Sequence, residues 1–220
     1  MSTKTDKPQE EVKHLKNRSR RDFLKGAGVT VSGSIIAGQL AIASPLSVEK
    51  GGVVGPGEVP ITLRVNGKPR QLKVEPRVTL LDALRDRLDV TGSKKVCDRA
   101  TCGACTMHLD GKPVYACTVL AIEAEGHEIT TIEGIAPADK IHAVSAAFVD
   151  HDGQQCGFCT SGFVMACVAF LKKNPNPSLE DVEKGLGGNL CRCGTYHGIR
   201  HAVLEASKTL RAQSKEEIYG

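Results

Sequence analysis

Two periodicities follow one another along the chain. Ile61-Thr62-Leu63-Arg64-Val65 alternates apolar and polar residues, meets Asn66-Gly67, and alternates again over Gln71-Leu72-Lys73-Val74. Alternation puts every second side chain on one face of a strand, and Asn-Gly supplies the two left-handed residues of a tight turn. The pattern predicts a hairpin. Thr79 is placed to N-cap a helix over 80–88, whose Leu80, Leu81, Leu84 and Leu88 share a face. After a cysteine-bearing loop, a second hairpin is expected from Thr106–Leu109 and Val114–Thr118 about Asp110-Gly111, with one more strand over Glu128–Ile132. These elements make a compact α+β unit ending near Gly134. Beyond it the period becomes helical, over Lys140–His151, Gly162–Lys173, Leu179–Gly185 and Ile199–Ala212. Asn174-Pro175-Asn176-Pro177 separates the second helix from the third, which Ser178 caps. An all-helical bundle is expected there.

Upstream of the first strand the sequence reads as an address. Ser19-Arg20-Arg21-Asp22-Phe23-Leu24-Lys25 resembles the twin-arginine export motif S-R-R-x-F-L-K at each fixed position. No charged residue occurs from Gly26 to Val48, and Ala41-Ile42-Ala43 has the A-x-A form of a cleavage site. A retained membrane anchor is the alternative, but Gly26, Gly28, Gly33 and Gly38 make the stretch weakly apolar for one. Residues 1–43 are therefore expected to be a twin-arginine signal, cleaved near Ala43 and recognised by the export machinery, with the periplasm as destination. Residues 44–59, rich in Gly, Pro and Val, form a linker, and two domains follow at 60–135 and 136–215.

Charge changes meaning once the leader is set apart. The chain has 29 basic and 25 acidic residues, of which eight and four fall in the first 43. The remaining 177 positions balance to zero, so no nucleic-acid or anionic-membrane partner is implied. Aromatic residues at 4%, with no tryptophan, leave few platforms for stacking bases. There is no G-x-S-x-G, H-E-x-x-H or P-loop motif, so substrate chemistry is not expected on this chain.

Nine cysteines carry the chemistry, and an odd count excludes complete disulfide pairing within the chain. Cys97, Cys102 and Cys105 form C-x4-C-x2-C, the spacing of plant-type 2Fe–2S ferredoxins, with Cys117 following. Gly103 lies between ligands where backbone must approach inorganic sulfide closely. Structural zinc is the competing reading, but zinc sites usually pair two C-x2-C units. Cys156-Gly157-Phe158-Cys159 and Cys191-Arg192-Cys193 give C-x2-C and C-x-C, which alone suit zinc, a disulfide or a cluster. Cys167, among apolar residues of one helix, is read as a core thiol. His197 and His201 share a helix face without a carboxylate partner and are read as a solvated or interface pair. Gly185-Leu186-Gly187-Gly188 is read as a flexible approach to the C-x-C turn, and Lys94-Lys95 as a solvated charge pair.

A resemblance resolves the second set. Gln155 to Gly162 (QCGFCTSG) and Gly188 to Tyr196 (GNLCRCGTY) are similar to the second-cluster motifs of the molybdenum hydroxylase, or xanthine oxidase, family. Lys95-Val96-Cys97-Asp98 with Cys102-Gly103-Ala104-Cys105-Thr106 resembles its first-cluster motif, and the likeness runs from residue 60 to about 210. With the leader, the chain looks most like the iron–sulfur small subunits of periplasmic aldehyde oxidoreductases. The resemblance implies a β-grasp ferredoxin-like domain followed by an all-helical 2Fe–2S-binding domain. It implies one cluster on Cys97, Cys102, Cys105 and Cys117, and an inner one on Cys156, Cys159, Cys191 and Cys193. Gln155 and Cys193 match positions that hydrogen-bond the pterin edge. The implied partner is a large molybdopterin-binding subunit acting on an aldehyde or N-heterocycle, with an FAD subunit or cytochrome accepting electrons. Ser161, where many members have proline, and Gly194-Thr195, where many have Thr-Gly, point to a subgroup.

Overall fold

The computed structural model describes the backbone of residues 56–136 and 140–219, with side chains to 213. The expected leader, 1–43, and most of the linker lie outside the described residues. The described residues fall within one compact unit. No helix among the described residues is long and apolar enough to cross a membrane.

Strand β1 (Val59–Val65) pairs antiparallel with β2 (Lys68–Val74), Val59 opposite Val74 and Val65 opposite Lys68. Asn66 and Gly67 are both left-handed, with φ of 51° and 74°, as a two-residue I′ turn requires. Strands β3 (Thr106–Leu109) and β4 (Lys112–Tyr115) form the second hairpin about Asp110-Gly111. Strand β5 (Glu128–Thr130) lies between the hairpins, parallel to β1 and antiparallel to β3, giving the order β2-β1-β5-β3-β4. Ile61, Leu63, Val65, Met107 and Ile129 point from the sheet into one core, closed by Leu80, Leu81 and Leu84.

Those leucines belong to α1 (Leu80–Asp82), where the Thr79 hydroxyl accepts the Asp82 amide. The expected regular helix over 80–88 is instead short: its second half widens into a π-type turn over Ala83–Arg87. The Arg85 guanidinium donates to the carbonyls of Thr91 and Ser93, and the Val90 amide to that of Leu84, drawing the chain round into the cysteine loop. The expected strand Val114–Thr118 also ends early, at Tyr115. There the Thr118 amide and hydroxyl both bond the Tyr115 carbonyl and turn the chain at Cys117.

Four helices follow: α2 (Ala143–Asp150), α3 (Thr160–Lys173), α4 (Leu179–Gly185) and α5 (Tyr196–Tyr219). Ser178 and Asp181 cap α4 reciprocally. Phe148, Phe163, Val164, Val168, Val182, Ile199 and Val203 make the second core. Helix α3 is buried on almost every side because it serves both halves of the fold. Met165 faces the sheet, and His108 of β3, 2% exposed, places Nε2 2.8 Å from the Met165 carbonyl oxygen.

That contact makes stability sensitive to acid. Burial lowers the pKa of His108, and the hydrogen bond to Met165 opposes this only in part. Burial also lowers His142, whose Nδ1 accepts the Val144 amide, and Lys172 disfavours charge on both rings. A depressed folded-state pKa means the unfolded chain binds more protons below about 6.5, so stability rises with pH through that window. The urea midpoint should hold constant above about pH 7, fall as pH drops below about 6.5, and level off below the depressed values. His108→Leu should remove part of the fall; a midpoint flat between pH 7 and 5 would contradict the assignment.

Candidate metal centres

The loop between α1 and β3 curls so that its backbone points at sulfur. Asp98 and Ala100 are left-handed, at φ of 56° and 53°. For alanine that conformation costs roughly 1–2 kcal/mol. It aims the Ala100 amide at Cys117 Sγ (3.3 Å) and the Thr101 amide at Cys97 Sγ (3.4 Å). Helix α1 fixes the other side, the Leu80 and Leu81 amides donating to the carbonyls of Val119 and Ala116, on either side of Cys117. Cys97 and Cys102 are partly exposed, whereas Cys105 and Cys117 are buried.

The four thiols lie near enough to shift one another's pKa. Cys97 meets the Cys102 thiol, and backbone N–H groups of Arg99, Thr101 and Cys102 aimed at its sulfur bring it down to about 6. Cys105 meets the thiol of Cys117, and burial pushes it up to about 12. A second set repeats the plan. Cys156 meets the Cys193 thiol; the Phe158 amide, then Cys193, lower its pKa. Cys159 meets Cys191 and is pushed up to about 12 by burial. Burial pushes Cys191 up as well, but the hydroxyl and amide of Thr195 outweigh it and hold the thiol at about 7. No disulfide joins the nine cysteines.

Among the described residues, no three His, Cys, Asp or Glu side chains converge as they would around one metal ion. The four thiols of each set would hold a two-iron group, which would supply one-electron redox chemistry. The donor set fits such a group. Each set has a thiol near its surface lowered in pKa, Cys97 and Cys156, and one that burial raises to about 12, Cys105 and Cys159, whose thiolate needs a compensating positive charge.

The two sets lie against each other. Leu190, next to Cys191, donates its amide to the carbonyl of Cys102 at 2.9 Å. Gly103 is left-handed (φ 70°), and a Cβ on it would lie 2.5 Å from the Asn189 amide nitrogen. A Cβ on Gly162, at the start of α3, would lie 2.2 Å from the Gly103 carbonyl oxygen. Only bare backbone fits at this crossing. Gly188 obeys the same constraint, since a Cβ there would meet the Tyr115 hydroxyl at 2.3 Å. The Gly185–Gly188 segment is thus packed at both ends, against Phe170 and Tyr115, and is not the loose approach its composition suggests.

Gln155, Cys156 and Cys193 are exposed together, with Phe158 54% and Leu190 45% exposed beside them. Cys167 is fully buried, as a core thiol should be. His197 and His201 have ring centroids 4.5 Å apart, and His151 stacks on His201 at 6.4 Å. Lys94 is half-buried and Lys95 exposed; at this surface Lys94 Nζ bonds the Thr91 carbonyl, and Lys95 Nζ bridges Asp82 and Asp98. Asn189, Tyr115 and His108 were not legible as structural residues, although Asn189 stands inside the GNLCRC motif.

Comparison with known proteins accounts for this arrangement. Residues 63–130 match the family model for a 2Fe-2S iron-sulfur cluster binding domain, and 131–204 that for a [2Fe-2S] binding domain. The aldehyde oxidoreductase iron-sulfur-binding subunit PaoA of Escherichia coli is 37% identical over 214 residues, covering 90% of this chain and 92% of its own. The chain belongs to the iron–sulfur subunits of the molybdenum hydroxylase family. The small subunit of nicotine 6-hydroxylase from Paenarthrobacter nicotinovorans is 43% identical over 148 residues, 67% of this chain and 89% of that one. Among solved structures, quinoline 2-oxidoreductase from Pseudomonas putida 86 superposes with a TM-score of 0.68 at 40% identity. It covers 70% of this subunit and 97% of the matched chain. The subunit is therefore part of an oxidoreductase, with two 2Fe–2S-binding domains built on a mixed sheet and helices.

Proposed function

We propose that this subunit carries electrons away from a molybdopterin site on a large partner subunit, in an enzyme that hydroxylates an aldehyde or N-heterocycle in the periplasm. Cys156, Cys159, Cys191 and Cys193 hold the inner 2Fe–2S cluster, and Cys97, Cys102, Cys105 and Cys117 the outer one. When bound, a 2Fe–2S group takes up and returns one electron at a time, which divides a two-electron oxidation into single steps. The observation that carries the reading is the Leu190–Cys102 hydrogen bond, because it joins the two thiol sets through backbone and one 2.9 Å contact.

The chain's own residues set the terms. Amides aimed at the sulfurs favour added negative charge there and so raise the potential at which an electron is accepted. Buried Cys105, Cys117 and Cys191 keep water from one side of each set. Gln155 and Cys193, exposed and flanked by apolar Phe158 and Leu190, offer hydrogen bonds within a surface suited to burial against the molybdopterin-binding subunit. At the outer set, exposed Val96 beside the Lys95–Asp82–Asp98 ion pairs is the face for an FAD subunit or cytochrome. The Ser19–Lys25 motif supports export by the twin-arginine machinery, with cleavage near Ala43.

Purified protein should contain about four irons and four sulfides per chain. Cys193→Ser should remove the inner set's paramagnetic signal and leave the outer one. A colourless protein holding zinc, or loss of neither signal, would contradict the assignment; loaded chain that never associates with a molybdenum-containing subunit would leave only a free-standing ferredoxin. For export, Arg20→Lys with Arg21→Lys should strand loaded protein in the cytoplasm, and unchanged export would count against the leader.

A further inference from the structure

We infer that Asn189 is a positioning residue that holds the two thiol sets in register for electron exchange, by clamping the Gly103 carbonyl from the opposite loop. The inference rests on the two-cluster reading above. Asn189 itself is no ligand. Its side chain is 6% exposed, and its amide nitrogen donates to the Gly103 carbonyl at 2.9 Å and to the Thr106 hydroxyl at 3.3 Å. The Thr106 hydroxyl in turn donates to the Gly103 carbonyl at 2.6 Å, and the Thr106 amide reaches the same oxygen at 3.1 Å. Three donors from two loops thus meet on one oxygen, between Cys102 and Cys105.

Sequence adjacency gives the clamp its consequence. Asn189 and Leu190 are consecutive, as are Cys102 and Gly103. The side-chain bond at Gly103 and the main-chain bond from Leu190 to Cys102 are therefore neighbouring rungs between the same two strands of chain. Loosening the first lets the second lengthen. There is no slack, because a Cβ at Gly103 would already strike the Asn189 amide. Tyr115 ties the same segment from outside, its hydroxyl donating to the Gly188 carbonyl at 2.9 Å without touching Gly103. The exchange that this register serves moves one electron. The inner site is oxidised by one, the outer reduced by one, and no bond or proton changes.

The discriminating variant is Asn189→Asp, which keeps the shape but turns an oxygen towards the Gly103 carbonyl; Asn189→Ala serves if the charge prevents folding. Both are compared with Tyr115→Phe in the full chain, as isolated with both sites loaded and reduced. In the Asn189 variants each site's own paramagnetic signal should persist, and the magnetic interaction between them should weaken. Exchange of the Leu190 amide with solvent deuterium should speed up about tenfold, the scale of one weakened hydrogen bond. Tyr115→Phe should change neither. Unchanged interaction and exchange in both Asn189 variants would overturn the inference, as would an equal effect from Tyr115→Phe, the mark of general loosening. Absence of two signals in the unaltered chain would instead bring down the two-cluster reading on which it rests.

Discussion

The fold depends on one close crossing, where the Gly103 carbonyl meets the start of α3 and the Asn189 amide. The backbone at Gly162 approaches that of Gly103, and Gly103 the Asn189 side chain, at distances that no Cβ allows. Such contact is stable only if the polar groups it buries are bonded, since an unpaired buried carbonyl loses its hydration without return. The Gly103 oxygen is supplied three times over. Satisfaction of that single acceptor lets two loops, each too short of apolar residues to make a core, sit between the two cores of the molecule.

A second constraint is electrostatic. Eight thiols in a unit of this size must either stay neutral or be matched by positive charge and hydrogen bonds. Each set divides the task in a similar way. Cys97 and Cys156, near the surface, are lowered in pKa by backbone amides, whereas Cys105 and Cys159 are raised by burial. The strained backbone at Ala100 is part of this, because its left-handed conformation is what turns an N–H towards Cys117. The cost of strain and the gain of an amide–sulfur bond fall on the same residue.

Much of this was legible in the sequence. Both hairpin turns declared themselves through Asn66-Gly67 and Asp110-Gly111, whose left-handed angles those residues tolerate, and Ser178 announced the start of α4. The cysteine spacings with their surrounding motifs are specific enough to point to the family. What stayed hidden depends on distant partners. Nothing local to Ala83–Arg87 predicts a π-turn, because Arg85 is drawn by carbonyls at Thr91 and Ser93. Strand β4 stops at Tyr115 because Thr118 folds back on it. Gly185 and Gly188 read as flexible and are in fact small, since what they avoid, Phe170 and Tyr115, arrives from other elements. Asn189 lay in plain view as a motif letter, but its partners are more than 80 positions upstream.

The proposed arrangement is two four-thiol sites that meet across the Cys102–Leu190 contact. An iron anomalous difference map of the crystallised protein tests it most directly. Two pairs of iron positions are expected, one bracketed by Cys97, Cys102, Cys105 and Cys117 and the other by Cys156, Cys159, Cys191 and Cys193, with the Leu190 amide still on the Cys102 carbonyl between them. A single metal ion at the centre of either set, or a disulfide within one, would overturn this arrangement.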